Sequence, residues 1–246
     1  MEAAAKKLPI PVRVLGGGTN VLIHESGVDG LVIGTGDLNR VEVAEGGVTA
    51  EAGASLSTVI IESVGAGLGG LEALVGIPGT IAGAVVCNAT ADGREIASLV
   101  KWVEVIGDDG IKRISRDAID FGYRTSSLGG QSVVRIHFEL PRGDAAELTK
   151  RLQQRWIARN NATPPEIARG VMPLSESGSM SLDDLMKSAG MAGSREGGVT
   201  FHPTRPEYLI AGDDADARHV LTLIERAKEQ VLGRTGTDLR TTLRVW

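Results

Sequence analysis

The segment LGGGTNVLI at residues 15–23 places three consecutive glycines and a Thr-Asn pair directly after a short apolar run. This order predicts a strand that ends in a glycine loop and continues as a second apolar stretch. Glycines let a ligand approach the main chain, and successive N–H groups in a turn form an anion site. A plain turn between two strands is the alternative. The residues that would touch a phosphate-bearing ligand are Gly16, Gly17, Gly18, Thr19 and Asn20.

A second glycine loop, GIPGT at residues 76–80, lies inside the longer stretch LEALVGIPGTIAGAVVCNA. Pro78 stiffens this loop and Gly79 leaves room for a ligand. The small apolar residues after Thr80 predict a tightly packed helix. A turn leading into that helix is again the simpler interpretation. Two such loops in one chain favour a ligand that carries a diphosphate.

Composition excludes several classes of protein. The chain has 246 residues, a net charge of −5 and a single cysteine, Cys87. It therefore has no internal disulfide and no cysteine-based zinc site, and its charge does not favour nucleic acid. No apolar run is long enough for a membrane span, and no secretory signal is visible. The four histidines are scattered, so we expect no bound metal. Glycine, at 33 residues, is about twice as frequent as the ~7% of an average protein.

Helical and strand patterns are mixed along the whole chain, which predicts the α+β class. A helix is expected over residues 55–64 behind a Ser55 cap, and another over 143–160 capped by Asp144. The clearest amphipathic pattern starts at Asp216 and is expected to stop at Gly233.

Several segments in the same order resemble the UDP-N-acetylenolpyruvoylglucosamine reductases, the MurB-type flavoenzymes. Besides the two glycine loops they are GREI at 93–96, FGYRTS at 121–126, Gly178-Ser179, KSAGMAG at 187–193 and PEYLIAG at 206–212. The resemblance covers nearly the whole chain, and GIPGT together with FGYRTS is its most specific part.

The resemblance implies a two-part FAD-binding domain over residues 1–143, its first part incomplete, and a smaller α+β substrate-binding domain over residues 144–246. It implies an FAD-dependent oxidoreductase that uses NADPH to reduce UDP-N-acetylglucosamine enolpyruvate to UDP-N-acetylmuramate. That reaction supplies a precursor of peptidoglycan, so the resemblance also implies a role in cell-wall formation, cell shape and cell division. A UDP-sugar substrate, a cytoplasmic location and a monomeric state are expected.

The resemblance also assigns roles to individual residues. Arg124 stabilises the charge that develops on the substrate, Tyr123 lies beside it, and Ser179 gives a proton to the substrate carbon. The FAD contacts fall on the first loop and on a second set. This second set comprises Gly76, Ile77, Pro78, Gly79, Thr80, Gly83 and Asn88.

Three departures from the family pattern keep a second function open. Met1 lies only fourteen residues before Leu15, so we expect a shortened first part. The Phe-Lys-Asn-Pro run that follows the family serine is missing. Thr242 stands where the family has a glutamate that assists the proton transfer, and a threonine cannot exchange protons near neutral pH as a carboxylate can. The alternative is a catalytically impaired protein that binds flavin or a UDP-sugar.

Overall fold

The computed structural model describes residues 10–107, 109–163, 170–176 and 180–246. Within them helices and strands mix along the whole chain, which agrees with the expected α+β class. The chain divides into two compact units, one of residues 1–18 and 29–162 and the other of residues 19–28 and 163–246. None of the helices in the described segments combines the length and apolar character that a membrane crossing requires.

The first unit is built on a five-stranded antiparallel sheet. From one edge to the other, its strands are β4 (Val41–Ala44), β5 (Gly47–Glu51), β12 (Val133–Glu139), β8 (Val100–Gly107) and β9 (Gly110–Ser115). Alternate residues point to opposite faces, so Val103, Ile136 and Phe138 are buried in the core while Trp102 and His137 stack on the outer face.

Three helices contribute to the core that lies on the inner face of this sheet. They are α1 (Leu56–Gly65), α2 (Ile81–Val86) and α3 (Ala145–Ala162), with short 3₁₀ turns at Leu71–Leu74, Ile96–Ser98 and Arg116–Ala118. The Ser55 hydroxyl accepts from the Thr58 N–H, as expected of a helix cap. Asp144 likewise accepts from the Glu147 N–H at 2.9 Å at the start of α3.

Short strand pairs complete the first unit. They are the parallel pair β1 (Val12–Leu15) and β3 (Leu31–Gly34), and the hairpins β6 (Thr90–Ala91) with β7 (Arg94–Glu95) and β10 (Phe121–Gly122) with β11 (Thr125–Ser126). These pairs carry the loops described below.

The second unit contains a four-stranded sheet packed on two helices. The sheet order is β13 (Gly170–Val171), β17 (Leu209–Ala211), β16 (Val199–Phe201) and β15 (Arg195–Glu196). The helices are α4 (Leu182–Ser188) and α5 (Ala217–Thr235). Their apolar faces meet the sheet in a second core that includes Met186, Phe201 and Leu223.

An early segment of the chain belongs to this second unit. Strand β2 (Val21–Leu22) pairs in parallel with β19 (Arg244–Val245), and β14 (Leu174–Ser175) pairs with β18 (Arg240–Thr241). The His24 N–H also donates to the Trp246 carbonyl at 2.8 Å. The chain therefore enters the second unit right after the first glycine loop, returns to the first unit, and re-enters the second after α3.

Two sequence expectations differ from the structure. Helix α5 passes through Gly233 and ends at Gly236, whose φ of 72° lies in the left-handed region that favours glycine. A glycine inside a helix costs only about 1 kcal/mol, which the buried apolar face of α5 offsets. The structural division also falls after Ala162 rather than at residues 143–144, because Leu148 of α3 is buried in the core of the first unit.

Candidate functional site

The two glycine loops meet in the first unit although about sixty residues separate them in the chain. A Cβ added to Gly17 would lie 3.1 Å from the Gly79 Cα, and one added to Gly16 would lie 2.5 Å from the Thr80 Oγ1. Larger residues at these positions would push the loops apart. The sequence thus forms one continuous surface of backbone from two distant segments.

The first loop has the donors that an anionic ligand needs. Gly16, Gly17 and Gly18 are exposed, and their N–H groups donate to no acceptor within the described residues. Gly18 has a φ of 69°, which turns the chain at the end of β1. Uncommitted backbone N–H groups in a turn suit phosphate oxygens, so this donor set fits a pyrophosphate.

The last two residues of the predicted loop, Thr19 and Asn20, belong to the second unit. The Asn20 side-chain amide donates to the Thr242 carbonyl at 2.9 Å, and the Arg244 N–H donates to the Asn20 carbonyl at 3.0 Å. These bonds fasten the end of the loop to the C-terminal strands.

The second loop is rigid and leads directly into α2. Gly76 and Gly79 have φ values of 83° and 113°, in the region that favours glycine. The Thr80 hydroxyl accepts from the Gly83 N–H at 3.3 Å and so caps the helix. Ile77 packs against the core of the first unit while Pro78 is exposed. Ile77 therefore anchors the loop, and its glycines and Pro78 are left at the surface.

An apolar groove of about 370 Å³ borders the outer side of the same loop, between α1 and α3. Ile60, Ile61 and Trp156 supply much of its wall, and none of the described residues that line it carries a charge. A diphosphate needs donors or cations, so we place no phosphate group in this groove.

Arg124 occupies the turn of the hairpin formed by β10 and β11. Gly122 pairs with Thr125, so Tyr123 and Arg124 are the two turn residues. Arg124 has a φ of 57°, which is uncommon for a residue other than glycine. Its Nε is buried and has no hydrogen-bond partner among the described residues, whereas Tyr123 is 46% exposed. A strained turn that carries an unsatisfied cationic group is typical of a site that awaits an anionic ligand.

Asn88 is fully buried, and its side chain forms hydrogen bonds with three protein groups. Its amide donates to the Gly122 carbonyl at 2.8 Å and to a Glu95 carboxylate oxygen at 3.2 Å. Its carbonyl accepts from the Ala97 N–H at 3.3 Å. The Asn88 side chain thus joins the end of α2 to the Arg124 hairpin.

The residues expected to deliver the proton are only partly described. Gly178 and Ser179 lie outside the described residues. The Thr242 hydroxyl donates to the Met172 carbonyl at 3.1 Å, and its backbone N–H donates to the Pro173 carbonyl at 2.8 Å. Thr242 therefore fastens the C-terminal strands, and its hydroxyl proton is already committed to a backbone acceptor.

Comparison with known proteins identifies the family. Residues 2–115 match the model of an FAD binding domain, and residues 159–246 match the C-terminal domain of UDP-N-acetylenolpyruvoylglucosamine reductase. The reductase of Rhodopirellula baltica is 43% identical to this chain over all of it and 82% of its own length. The chain belongs to the UDP-N-acetylenolpyruvoylglucosamine reductase family.

Further reductases of the family agree with this assignment. That of Chloroherpeton thalassium is 34% identical over 93% of this chain and 77% of its own length. The crystal structure of the reductase from Thermus caldophilus superposes with a TM-score of 0.83 and 29% identity, covering all of this chain and 89% of that one. The expected family, the α+β fold and an FAD-binding oxidoreductase are thereby confirmed.

Sequence reasoning missed how the Arg124 hairpin is held. Besides Asn88, the Ser126 hydroxyl donates to the Val86 carbonyl at 2.7 Å. The available signal was an asparagine just after a run of small apolar residues, because asparagine is the usual alternative to glycine at the end of a helix.

Proposed function

We propose that this chain binds FAD on the two glycine loops and uses NADPH to reduce UDP-N-acetylenolpyruvoylglucosamine to UDP-N-acetylmuramate. Membership of the reductase family carries this proposal. The exposed N–H groups of Gly16, Gly17 and Gly18, next to Gly79, support the location of the cofactor. When bound on these loops, FAD would supply the hydride chemistry that links NADPH oxidation to reduction of the enolpyruvyl double bond.

Arg124 is the residue that we assign to the substrate. Hydride addition to the double bond places negative charge on the adjacent carbon and its carboxylate. A guanidinium held at a fixed position stabilises that charge without reorganisation, and removing one such donor typically costs about 10²–10³ in kcat. Arg124 as a whole is only partly buried, and its Nε has no hydrogen-bond partner among the described residues, so its guanidinium is not fully committed to protein groups.

Proton delivery completes the reaction, and we assign it to Ser179. A serine hydroxyl is a weak acid, so it gives its proton only to a strongly basic carbon and profits from a carboxylate that returns the proton. Thr242 provides no carboxylate, and its hydroxyl donates to a carbonyl. This observation favours the second candidate function, a family member that binds FAD or the UDP-sugar and turns over slowly or not at all.

We assign substrate binding to the later part of the chain, residues 144–246 in the sequence division, because the reductase C-terminal domain model matches residues 159–246. We also infer a cytoplasmic monomer, since the UDP-sugar and NADPH are water-soluble intracellular metabolites.

The test combines a visible spectrum with an NADPH oxidation assay. The purified chain should show flavin absorbance in stoichiometric amount after addition of FAD, and NADPH oxidation should depend on the enolpyruvyl UDP-sugar. Arg124→Ala should lower kcat by about 10²–10³ with unchanged flavin content, and Arg124→Lys should recover part of the loss. Ser179→Ala should stop product formation.

Each outcome separates the candidates. Bound flavin without substrate-dependent oxidation would favour the impaired binding protein. A chain that takes up no FAD at high concentration would contradict the reductase assignment for this polypeptide.

A further inference from the structure

Asn88 closes helix α2 in a conformation that few residues adopt. The Ala89 N–H donates to the Ala84 carbonyl at 2.8 Å and the Asn88 N–H donates to the Val85 carbonyl at 3.0 Å. These two bonds form the Schellman arrangement, in which the residue just after the helix is left-handed. Asn88 has a φ of 44° accordingly. Glycine would meet the backbone requirement equally well, so the helix end alone does not explain an asparagine.

The contacts of the Asn88 side chain explain why this position holds asparagine instead of glycine. Asn88 has no exposed surface, so a bound cofactor cannot touch it unless the protein around it moves. Both amide hydrogens and the carbonyl oxygen have protein partners, and the shortest of the three bonds, at 2.8 Å, reaches the Gly122 carbonyl. Gly122 lies two residues before Arg124 and directly enters its turn.

Helix α2 connects two parts of the proposed site. Thr80 caps the N-terminal end of this helix and contacts Gly16 of the first glycine loop. The C-terminal end of the helix holds the Arg124 hairpin by two hydrogen bonds. The Asn88 side-chain amide donates to the Gly122 carbonyl, and the Ser126 hydroxyl donates to the Val86 carbonyl. Six helical residues span only about 9 Å at ~1.5 Å each. A short rigid element therefore fixes the spacing between the flavin loops and the hairpin.

We propose that Asn88 is a positioning residue that holds Arg124 at the distance from the flavin that the reaction requires. This inference rests on the proposed function of Arg124 and replaces the expected contact between Asn88 and the cofactor. Asn88 acts on turnover through Arg124, while FAD binding depends on the glycine loops at the other end of the helix. Since a displacement of about 1 Å can cost up to ~100-fold in rate, loss of this bond should reduce kcat.

The test uses Asn88→Gly, which keeps the left-handed backbone at the helix end and removes the tether to Gly122 together with the side-chain bonds to Glu95 and Ala97. We expect kcat to fall about tenfold with unchanged FAD content, since the hairpin keeps its Ser126 anchor. Asp92→Gly is the control for the loss of a side chain at a left-handed position, because Asp92 also has a left-handed φ, of 50°, in the neighbouring hairpin. The bonds that this variant gives up are partly exposed ion pairs with Arg155 and Arg159 of α3. That variant should keep wild-type kcat.

A double-mutant cycle separates positioning from a general structural effect. If Asn88 acts through Arg124, Asn88→Gly should lower kcat no further once Arg124→Ala is present. Losses that multiply in the double variant would overturn the inference and leave the role of Arg124 intact. Wild-type turnover in Arg124→Ala would instead contradict the proposed function itself.

Amide hydrogen exchange gives a readout that does not need turnover. In Asn88→Gly the amides of residues 121–126 should exchange about tenfold faster, while those of the five-stranded sheet keep their protection. Exchange equal to the wild type in the hairpin would overturn the inference even in a chain that shows no activity.

Discussion

The two units rely on different kinds of group at their candidate functional positions. In the first unit the ligand surface consists of backbone, with Gly16 and Gly17 packed against Gly79 and Thr80. In the second unit the expected relay depends on one side chain at the position of Thr242, where a carboxylate is expected from the resemblance, and the Thr242 hydroxyl donates to a carbonyl.

Cofactor binding and proton transfer are therefore expected to respond differently to substitution. A surface of backbone N–H groups survives changes of most side chains as long as the glycines remain. Proton transfer fails when one ionisable group is exchanged for a neutral one. Cofactor binding can therefore persist in a chain whose chemistry is impaired, and experiments can separate the two.

The largest effect is expected when the contact between the glycine loops is broken. Gly16→Val places a Cβ where only 2.5 Å separates it from the Thr80 Oγ1, so Thr80 must move and the cap of α2 opens. We expect FAD affinity to fall about 100-fold, or about 2.7 kcal/mol, as measured by titration of flavin fluorescence.

Gly36→Ala is the control for this substitution. Gly36 has ordinary backbone angles and no atom within 4 Å of an added Cβ, so its variant should bind FAD like the wild type. Equal FAD affinity in Gly16→Val would show that the cofactor does not use these loops.

One substitution in the second unit, Thr242→Glu, is expected to raise kcat. Thr242→Glu supplies the carboxylate that the family pattern expects, and general acid–base groups typically contribute about 10²–10⁴ in rate. The new side chain gives up the Met172 bond, so we expect a smaller rise in kcat, of about tenfold. Steady-state NADPH oxidation measures it, and FAD affinity should stay unchanged.

Thr242→Gln is the control that separates the effect of a carboxylate from the effect of a longer side chain. Gln has the same length and no ionisable group, so this variant should not exceed the wild-type kcat. A rise in both variants, or in neither, would show that proton delivery does not depend on a carboxylate at this position.

Local patterns predicted much of the first unit. The turn residues around Gly16 and Gly79 and the helix after Thr80 follow from glycine chemistry and apolar spacing, which are properties of neighbouring residues. The contact between Gly17 and Gly79 could not be predicted in this way, because it depends on how distant segments pack. The role of Asn88 was hidden for the same reason, since its partner Gly122 is 34 residues away.

The division of the chain shows the same limit. Helix α3 reads as the start of a new domain by sequence position, yet Leu148 is buried in the first core. Residues 19–28 join the second unit because β2 pairs with β19, which follows more than two hundred residues later. Neither the burial of Leu148 nor the pairing of β2 with β19 can be predicted from neighbouring residues, because both depend on how distant segments pack together.

The smallest effects are expected on the free energy of unfolding, when one buried carboxylate in each unit is substituted: Glu104 in the first and Glu207 in the second. Glu104 is paired through both oxygens, at 2.8 Å to Arg113 and 2.7 Å to Arg135. Glu207 is paired through one oxygen to Arg205, while its Oε2 is buried without a partner among the described residues. At pH 7 we expect Glu104→Gln to lower the free energy of unfolding by about 1–2 kcal/mol, since its arginines are partly exposed. Glu207→Gln should cost less, because Glu207 already bears an unsatisfied oxygen.

The pH dependence of the Glu104 effect checks its electrostatic origin. Burial raises the pKa of Glu104, but the hydrogen bonds from Arg113 and Arg135 outweigh burial and hold the pKa below its usual value. A carboxyl whose pKa is lowered by folding stabilises the protein above the pKa of the unfolded chain, about 4.3, and loses that contribution as the pH falls through the folded pKa. Urea unfolding should therefore show the gap between wild type and Glu104→Gln at pH 7 and a smaller gap below pH ~4. A gap that stays constant with pH would mean that Glu104 stabilises the sheet through packing rather than through its charge.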